Sequence, residues 1–171
     1  IAPEVLSTMH YPLNSEKRKL PCASTDFHAL SVLIYEYLLL RHPLIGPKRY
    51  PGISSEEEDL NELGAKATFI ENPRDKSNRP KNLSPTISDL GPILEKLFLK
   101  AFTEGLHDPR FRPTAMEWEY GLVKTWNLLY SCTNPSCEQK WFILHDINKP
   151  ICPYCGTKIK NQELIVFNFR K

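Results

Sequence analysis

The chain has 171 residues, 41% hydrophobic and 25% charged, the proportions of a soluble globular protein, which excludes a disordered or collagen-like polymer. Its 22 Lys and Arg against 20 Asp and Glu leave a net charge of +2, too balanced for nucleic acid or an anionic membrane to be the main partner. With 15 Pro, only 7 Gly, and neither G-x-G-x-x-G nor G-x-x-x-x-G-K-S/T, glycine-built phosphate loops are not expected.

The sequence opens Ile1-Ala2-Pro3-Glu4, with no Met and no basic start leading to an apolar stretch. No targeting segment is therefore expected, and the chain reads as a piece of a longer one. The most apolar stretch, 29–40, is interrupted by Ser31 and Glu36 and falls short of the roughly 20 residues a bilayer requires. A cytoplasmic protein with no membrane partner is expected.

In chain order, the first strong element is 26–40, apolar almost all the way round, which predicts a central, buried helix. Ser24 or Thr25 can cap its start, and His42-Pro43 stops it. Ser55-Glu56-Glu57-Glu58 reads as a capping box opening a shorter helix to about Ala65. Carboxylates favour a helix N-terminus, so the acidic run 56–59 needs no recognition role, with an acidic recognition patch as the alternative. Residues 66–88 hold Pro73, Pro80 and Pro85 and predict an irregular connection. Its Arg74, Lys76, Arg79 and Lys81, offset by Glu71 and Asp75, read as a solvated loop, with an anion or partner contact as the alternative.

Leu90, Ile93, Leu94, Leu97, Phe98, Ala101 and Phe102 recur at helical spacing and predict an amphipathic helix over 89–103. Thr114-Ala115-Met116-Glu117 is a second capping box, and the helix after it is expected to present Trp118, Leu122, Trp126 and Leu129 on one face. Strand signals are absent before residue 140; short strands are expected at 141–144 and 163–169.

Four of the five cysteines, Cys132, Cys137, Cys152 and Cys155, form C-x4-C-x14-C-x2-C. Two such pairs across a short span are what a tetrahedral thiolate site requires. In Cys152-Pro153-Tyr154-Cys155-Gly156, Pro fixes the approach and Gly permits the left-handed turn that faces backbone amides to the sulfurs. The first pair has a looser gap. A module of about 40 residues makes little core, and structural Zn2+ supplies on the order of 10 kcal/mol to folding such a piece. Four protein ligands close the site, so the metal is expected to be structural. Two disulfides, or His145 in place of one cysteine, are the alternatives. Cys22 reads as an ordinary thiol.

Three motifs then stand in a recognisable order. Ala2-Pro3-Glu4 resembles the APE motif that closes the activation segment of protein kinases. Asp26 stands where kinases keep the aspartate of their buried helix F, and Arg112-Pro113-Thr114 with Glu117-Trp118 resembles the segment leading into the last helix of the kinase C-lobe. The resemblance covers 1 to about 131. It implies that Glu4 and Arg112 form a buried ion pair and that Asp26 accepts backbone hydrogen bonds from a catalytic loop. Read from the residues alone, Glu4 can equally be a solvated terminal residue, Asp26 a plain cap and Arg112 a surface residue. His28 and Ser31 replace the tryptophan and glycine of the usual D-x-W-S-x-G stretch. With Arg41-His42-Pro43-Leu44, Asn72-Pro73-Arg74 and Asn78-Arg79-Pro80, the chain looks closer to bacterial serine/threonine kinase-like proteins with a zinc ribbon after the C-lobe. These resemble members of the phosphatase–kinase–von Willebrand A triads linked to tellurite resistance and stress.

The resemblance implies a mainly α fold: a kinase C-lobe helical subdomain over 1–131 and a small β zinc ribbon over 132–171. The glycine-rich loop, strand lysine, catalytic-loop residues and metal-binding aspartate that phosphoryl transfer needs are all missing. ATP and Mg2+ therefore belong only to an intact parent, and no catalytic residue or activity is expected here. The implied role is a protein-binding scaffold, with a von Willebrand A-type protein or a metal-dependent phosphatase as partner; a pseudokinase adaptor, or a zinc ribbon contacting nucleic acid, is the alternative. Residues 132–171 hold six Lys and Arg against three acids, a faint excess that four thiolates around one zinc reduce further, so nucleic acid is not the expected ligand of the ribbon.

Overall fold

The computed structural model describes residues 1–50, 54–144, 146 and 148–159. Its helices are α1 (Pro3–Thr8), α2 (Ala23–Leu39), α3 (Ser55–Leu63), α4 (Gly91–Leu99) and α5 (Ala115–Trp126). Two short strands follow, β1 (Leu129–Ser131) and β2 (Trp141–Ile143), paired antiparallel with Tyr130 opposite Phe142. The described residues are thus mostly helical with one small sheet. Among the described residues no helix is long and apolar enough to cross a membrane.

Capping explains where the helices start. Thr114 caps α5 and exchanges hydrogen bonds with Glu117, as its sequence indicates. On α3 the box sits one residue earlier than expected, with Ser54 and Glu57 as partners. On α2 neither Ser24 nor Thr25 is the cap residue. Cys22 takes that extended position; its N–H donates to Thr25 Oγ1 at 2.9 Å, and the Thr25 hydroxyl donates back to the Cys22 carbonyl. The amphipathic segment is divided in three. A 3-10 turn, Ile87–Leu90, leads into Gly91 at φ +82°, a left-handed conformation that a side chain would strain; α4 follows, and its last turn widens to a π-helical Lys100–Glu104.

One aromatic core joins these elements. Tyr35 of α2, Phe69 of the loop after α3, Phe98 and Phe102, and Trp118 of α5 are all buried, with neighbouring rings at 4.9–6.2 Å. Trp118 Nε1 donates to Ser31 Oγ at 3.1 Å, and Ser31 donates to the Phe27 carbonyl, so both buried polar groups are satisfied. Loop 66–88 is only half solvated. Arg74, Lys76, Arg79 and Lys81 are exposed, but Glu71 and Asn78 are buried. Glu71 accepts from the Tyr35 hydroxyl at 2.6 Å and from the Ile87 N–H at 3.0 Å, and faces Arg41 at 3.5 Å. Burial, and next the Glu71 carboxylate, push the Tyr35 phenol up from its ordinary range. Asn78 donates to the carbonyls of Leu44 and Thr68, stitching two loop strands that have no sheet of their own.

Gly46 lies against this stitch: a Cβ there would meet the Asn78 carbonyl oxygen at 2.1 Å. Gly46→Ala is therefore expected to destabilise the fold by about 1–3 kcal/mol, read as a lower midpoint in denaturant unfolding.

Two expectations about burial are overturned. Helix α2 is not buried all round. Thr25, His28, Ser31, Tyr35 and Leu39 face inward, while Leu33, Tyr37 and Leu40 are 50%, 77% and 89% exposed. On α5 the inward stripe is Trp118, Gly121, Leu122 and Thr125; Trp126 lies off that stripe and is 74% exposed. Leu129 has left the helix and stands in β1, a strand the sequence pattern did not announce. The expected strand 163–169 lies outside the described residues.

Candidate functional site

The four cysteines come from two turns that flank the sheet. Cys132 follows β1, and its N–H donates to the Lys140 carbonyl at 2.7 Å; the longer first gap closes through a turn in which the Cys137 N–H donates to the Asn134 carbonyl. In the second turn the Gly156 N–H donates to the Cys152 carbonyl at 2.9 Å, with Gly156 at φ +73°. A short bridge between Ile151 and Lys158 closes its base. Phe142, Leu144 and Ile159 pack beneath the buried Cys137 and Cys152, and Cys155 is exposed.

All four Sγ atoms lie within 4.8 Å of one another. Cys132 and Cys155 are 3.5 Å apart and Cys137 and Cys152 are 3.9 Å apart, too far for S–S bonds of about 2.05 Å. A tetrahedron with Zn–S bonds of about 2.3 Å has edges of about 3.8 Å. The donor set and its spacing thus fit a metal ion such as zinc, bound by four thiolates with no position left open. His145, the alternative ligand, lies outside the described residues.

Metal-free, four thiols this close cannot all ionise. A backbone hydrogen bond at Asn134 favours the Cys132 thiolate, but burial and the neighbouring sulfurs outweigh it and push that thiol up to about 12. Cys155 goes the other way, down to about 6, chiefly because the Thr157 hydroxyl 3.2 Å away stabilises its thiolate. A divalent cation removes the conflict by offsetting the shared negative charge. Thr157 is a residue the spacing argument missed; it stands two positions beyond a cysteine, where a hydroxyl can reach back to the sulfur.

Apart from the cysteines, Arg112 and Glu4 meet. Arg112 is buried, and its guanidinium makes five hydrogen bonds with its five N–H groups. Nη1 and Nη2 donate to the two Glu4 carboxylate oxygens at 2.8 and 2.7 Å. The others reach the carbonyls of Ser24 (2.9 Å), Gly105 (2.9 Å) and Leu106 (3.3 Å). One side chain thus ties the first turn of α1, the start of α2 and the segment before α5. Burial pushes the Glu4 carboxyl up, but Arg112 outweighs it and holds the group below the ordinary carboxylate range.

Asp26 does not join this cluster. It is exposed in the first turn of α2, and its carboxylate has no partner among the described residues. His28, two residues on, is buried edge-on against Phe102, and its Nδ1 finds no hydrogen-bond partner among the described residues. Burial, and next the Arg112 charge, push His28 down to about 3, so the ring is neutral at neutral pH.

No family model, curated protein or solved structure matches the chain.

Proposed function

We propose that this chain is the C-terminal helical lobe of a serine/threonine kinase-like protein, extended by a zinc ribbon, and that it works by binding another protein rather than by transferring phosphate. The observation that carries the reading is the forked Arg112–Glu4 pair, which joins residues 108 apart in sequence in the arrangement the kinase resemblance implies. The exposed side of α2 adds support. Ala29, Leu33, Tyr37 and Leu40 form an apolar stripe with Asp26 at its head, as expected of a helix that a further stretch of polypeptide covers. The four-cysteine cluster supports zinc as the resident metal in a shape-holding role, since closed thiolate sites are structural.

By the same resemblance the partner is a von Willebrand A-type protein or a metal-dependent phosphatase. Leu60 on α3 and Trp141 on β2 are each partly exposed apolar contacts on which such a partner can seat. ATP and Mg2+ belong to an intact parent, and the chain alone is expected to be inactive.

The test is size-exclusion chromatography with light scattering on the chain mixed with the von Willebrand A-type protein, with and without a zinc chelator. A complex lost on chelation makes the ribbon part of the interface, or needed to shape it; one that survives puts docking on the helical lobe. No complex in either condition removes the partnership. Magnesium-dependent phosphate transfer by this chain alone would overturn the scaffold reading itself.

A further inference from the structure

The four sulfurs of the ribbon are not equivalent. Cys137 and Cys152 are 2% and 1% exposed and belong to the apolar floor with Phe142, Leu144 and Ile159. Cys132 packs against that floor only half-buried, and Cys155 stands off it and is exposed. These two outer sulfurs, one from each turn, are 3.5 Å apart. The cluster thus has an inner edge and an outer edge. A closed set of four thiolates has no open position for a substrate, but a thiolate remains a nucleophile toward an oxidant that can reach it.

We infer that the outer edge, Cys132 with Cys155, is a redox-sensitive switch: hydrogen peroxide oxidises this pair to a disulfide and the ribbon gives up its metal. The Cys155 thiolate attacks one peroxide oxygen. An S–O bond forms, the O–O bond breaks, and the departing hydroxide takes a proton from solvent to become water. The Cys132 thiolate then attacks the Cys155 sulfur. An S–S bond forms, the S–O bond breaks, and the oxygen leaves with a second solvent proton as another water. The two sulfurs give up two electrons, and the peroxide takes up both. Two thiolates remain of the four, too few to hold the ion.

Position selects Cys132 as the partner of Cys155. Cys137 and Cys152 are packed in the ribbon core, and bringing either outward opens that core. The outer pair closes by side-chain rotation above it. The backbone favours the same pairing. The Gly156 N–H holds the Cys152 carbonyl, and the Cys137 N–H holds the Asn134 carbonyl, so each turn keeps its shape when the bridge runs between turns. Cys22, although exposed, lies outside the cluster and takes no part. With so little core, a ribbon without metal unfolds, so oxidation withdraws whatever surface it presents and leaves the helical lobe in place. This inference rests on the zinc reading of the four cysteines and not on the kinase resemblance.

The test treats the zinc-loaded chain with about one equivalent of hydrogen peroxide, follows released zinc with a chromogenic chelator, and maps disulfides by mass spectrometry after alkylation. Zinc content before treatment checks the underlying reading; a chain that binds none removes that reading and this inference with it. Loss of the zinc in step with the appearance of a Cys132–Cys155 disulfide is expected, with Cys137 and Cys152 still open to alkylation. A thiol reductant with added zinc is expected to restore both metal loading and resistance to limited proteolysis. Cys22→Ser is expected to change none of this. A first disulfide that includes Cys137 or Cys152 overturns the inference. So does zinc retained after peroxide, zinc lost without a disulfide, or a loss that reductant and zinc do not reverse.

Discussion

Replacing Cys137 or Cys152 with serine is expected to unfold the ribbon and leave the helical lobe standing. The ribbon core is small, with Phe142, Leu144 and Ile159 its main buried apolar side chains besides the two inner cysteines. The sheet has three paired positions. Such a core cannot offset the conformational entropy of ordering some 30 residues, at roughly 1.5 kcal/mol each. Zinc bound by four thiolates contributes on the order of 10 kcal/mol, and in its absence the unfolded ribbon is the stable form. Each serine substitution removes one thiolate from a closed set, so zinc content should fall from one per chain toward zero, and the ribbon should become sensitive to limited proteolysis. Cys22→Ser should do neither, since Cys22 lies outside the cluster. Metal loading should also weaken as pH falls, because protons compete with the metal for the thiolates.

Arg112→Met is expected to cost about 3–5 kcal/mol, the range for leaving one member of a buried pair alone. Glu4 would remain near 24% side-chain exposure without its partner, and the carbonyls of Gly105 and Leu106 would lose their buried donor. Arg112→Lys should rescue little, because one ammonium cannot reach both carboxylate oxygens and three carbonyls in a fork. Glu4→Gln should cost less than Arg112→Met, since the amide keeps one acceptor while the guanidinium keeps its carbonyls. The pair also sets a pH dependence. The folded pKa of Glu4 is depressed, so its stabilisation is fully present above the ordinary carboxylate range and is lost as pH falls through the depressed value. Denaturant unfolding of the unaltered chain should show that acid loss, and Glu4→Gln should flatten it.

What the sequence discloses divides along a physical line. Local patterns are legible. The helices α2, α4 and α5, the Thr114–Glu117 box and the four-cysteine spacing each rest on residues a few positions apart, and the structure contains all of them. Side-chain partners far along the chain are not. Glu71 reads as one more charge in a polar loop, yet it is buried by partners at Tyr35 and Ile87. Asn78 is held by Leu44, 34 residues earlier. A helix as apolar as α2 gives no sign of which side will be covered, so the burial of His28 and Ser31 and the exposure of Leu33 and Tyr37 are settled by packing against Phe102 and Trp118. Strand β1 is three residues long and becomes a strand only because Trp141–Ile143 lies beside it. Trp126 illustrates the limit of periodicity: its spacing from Trp118 and Leu122 suits the inner face, yet Thr125 takes the inward position and Trp126 is exposed.

On this reading the helical lobe is kept together by its aromatic core and the Arg112–Glu4 pair, while the ribbon depends on metal. Hydrogen exchange of the zinc-loaded chain, before and after a chelator, tests this most directly. The expected result is that amides over 129–159 lose protection on chelation, while those of α2, α4 and α5 keep theirs apart from local changes near Gly91, which touches Ile143. Protection over 129–159 that survives complete metal removal, or a helical lobe that opens together with the ribbon, would contradict it.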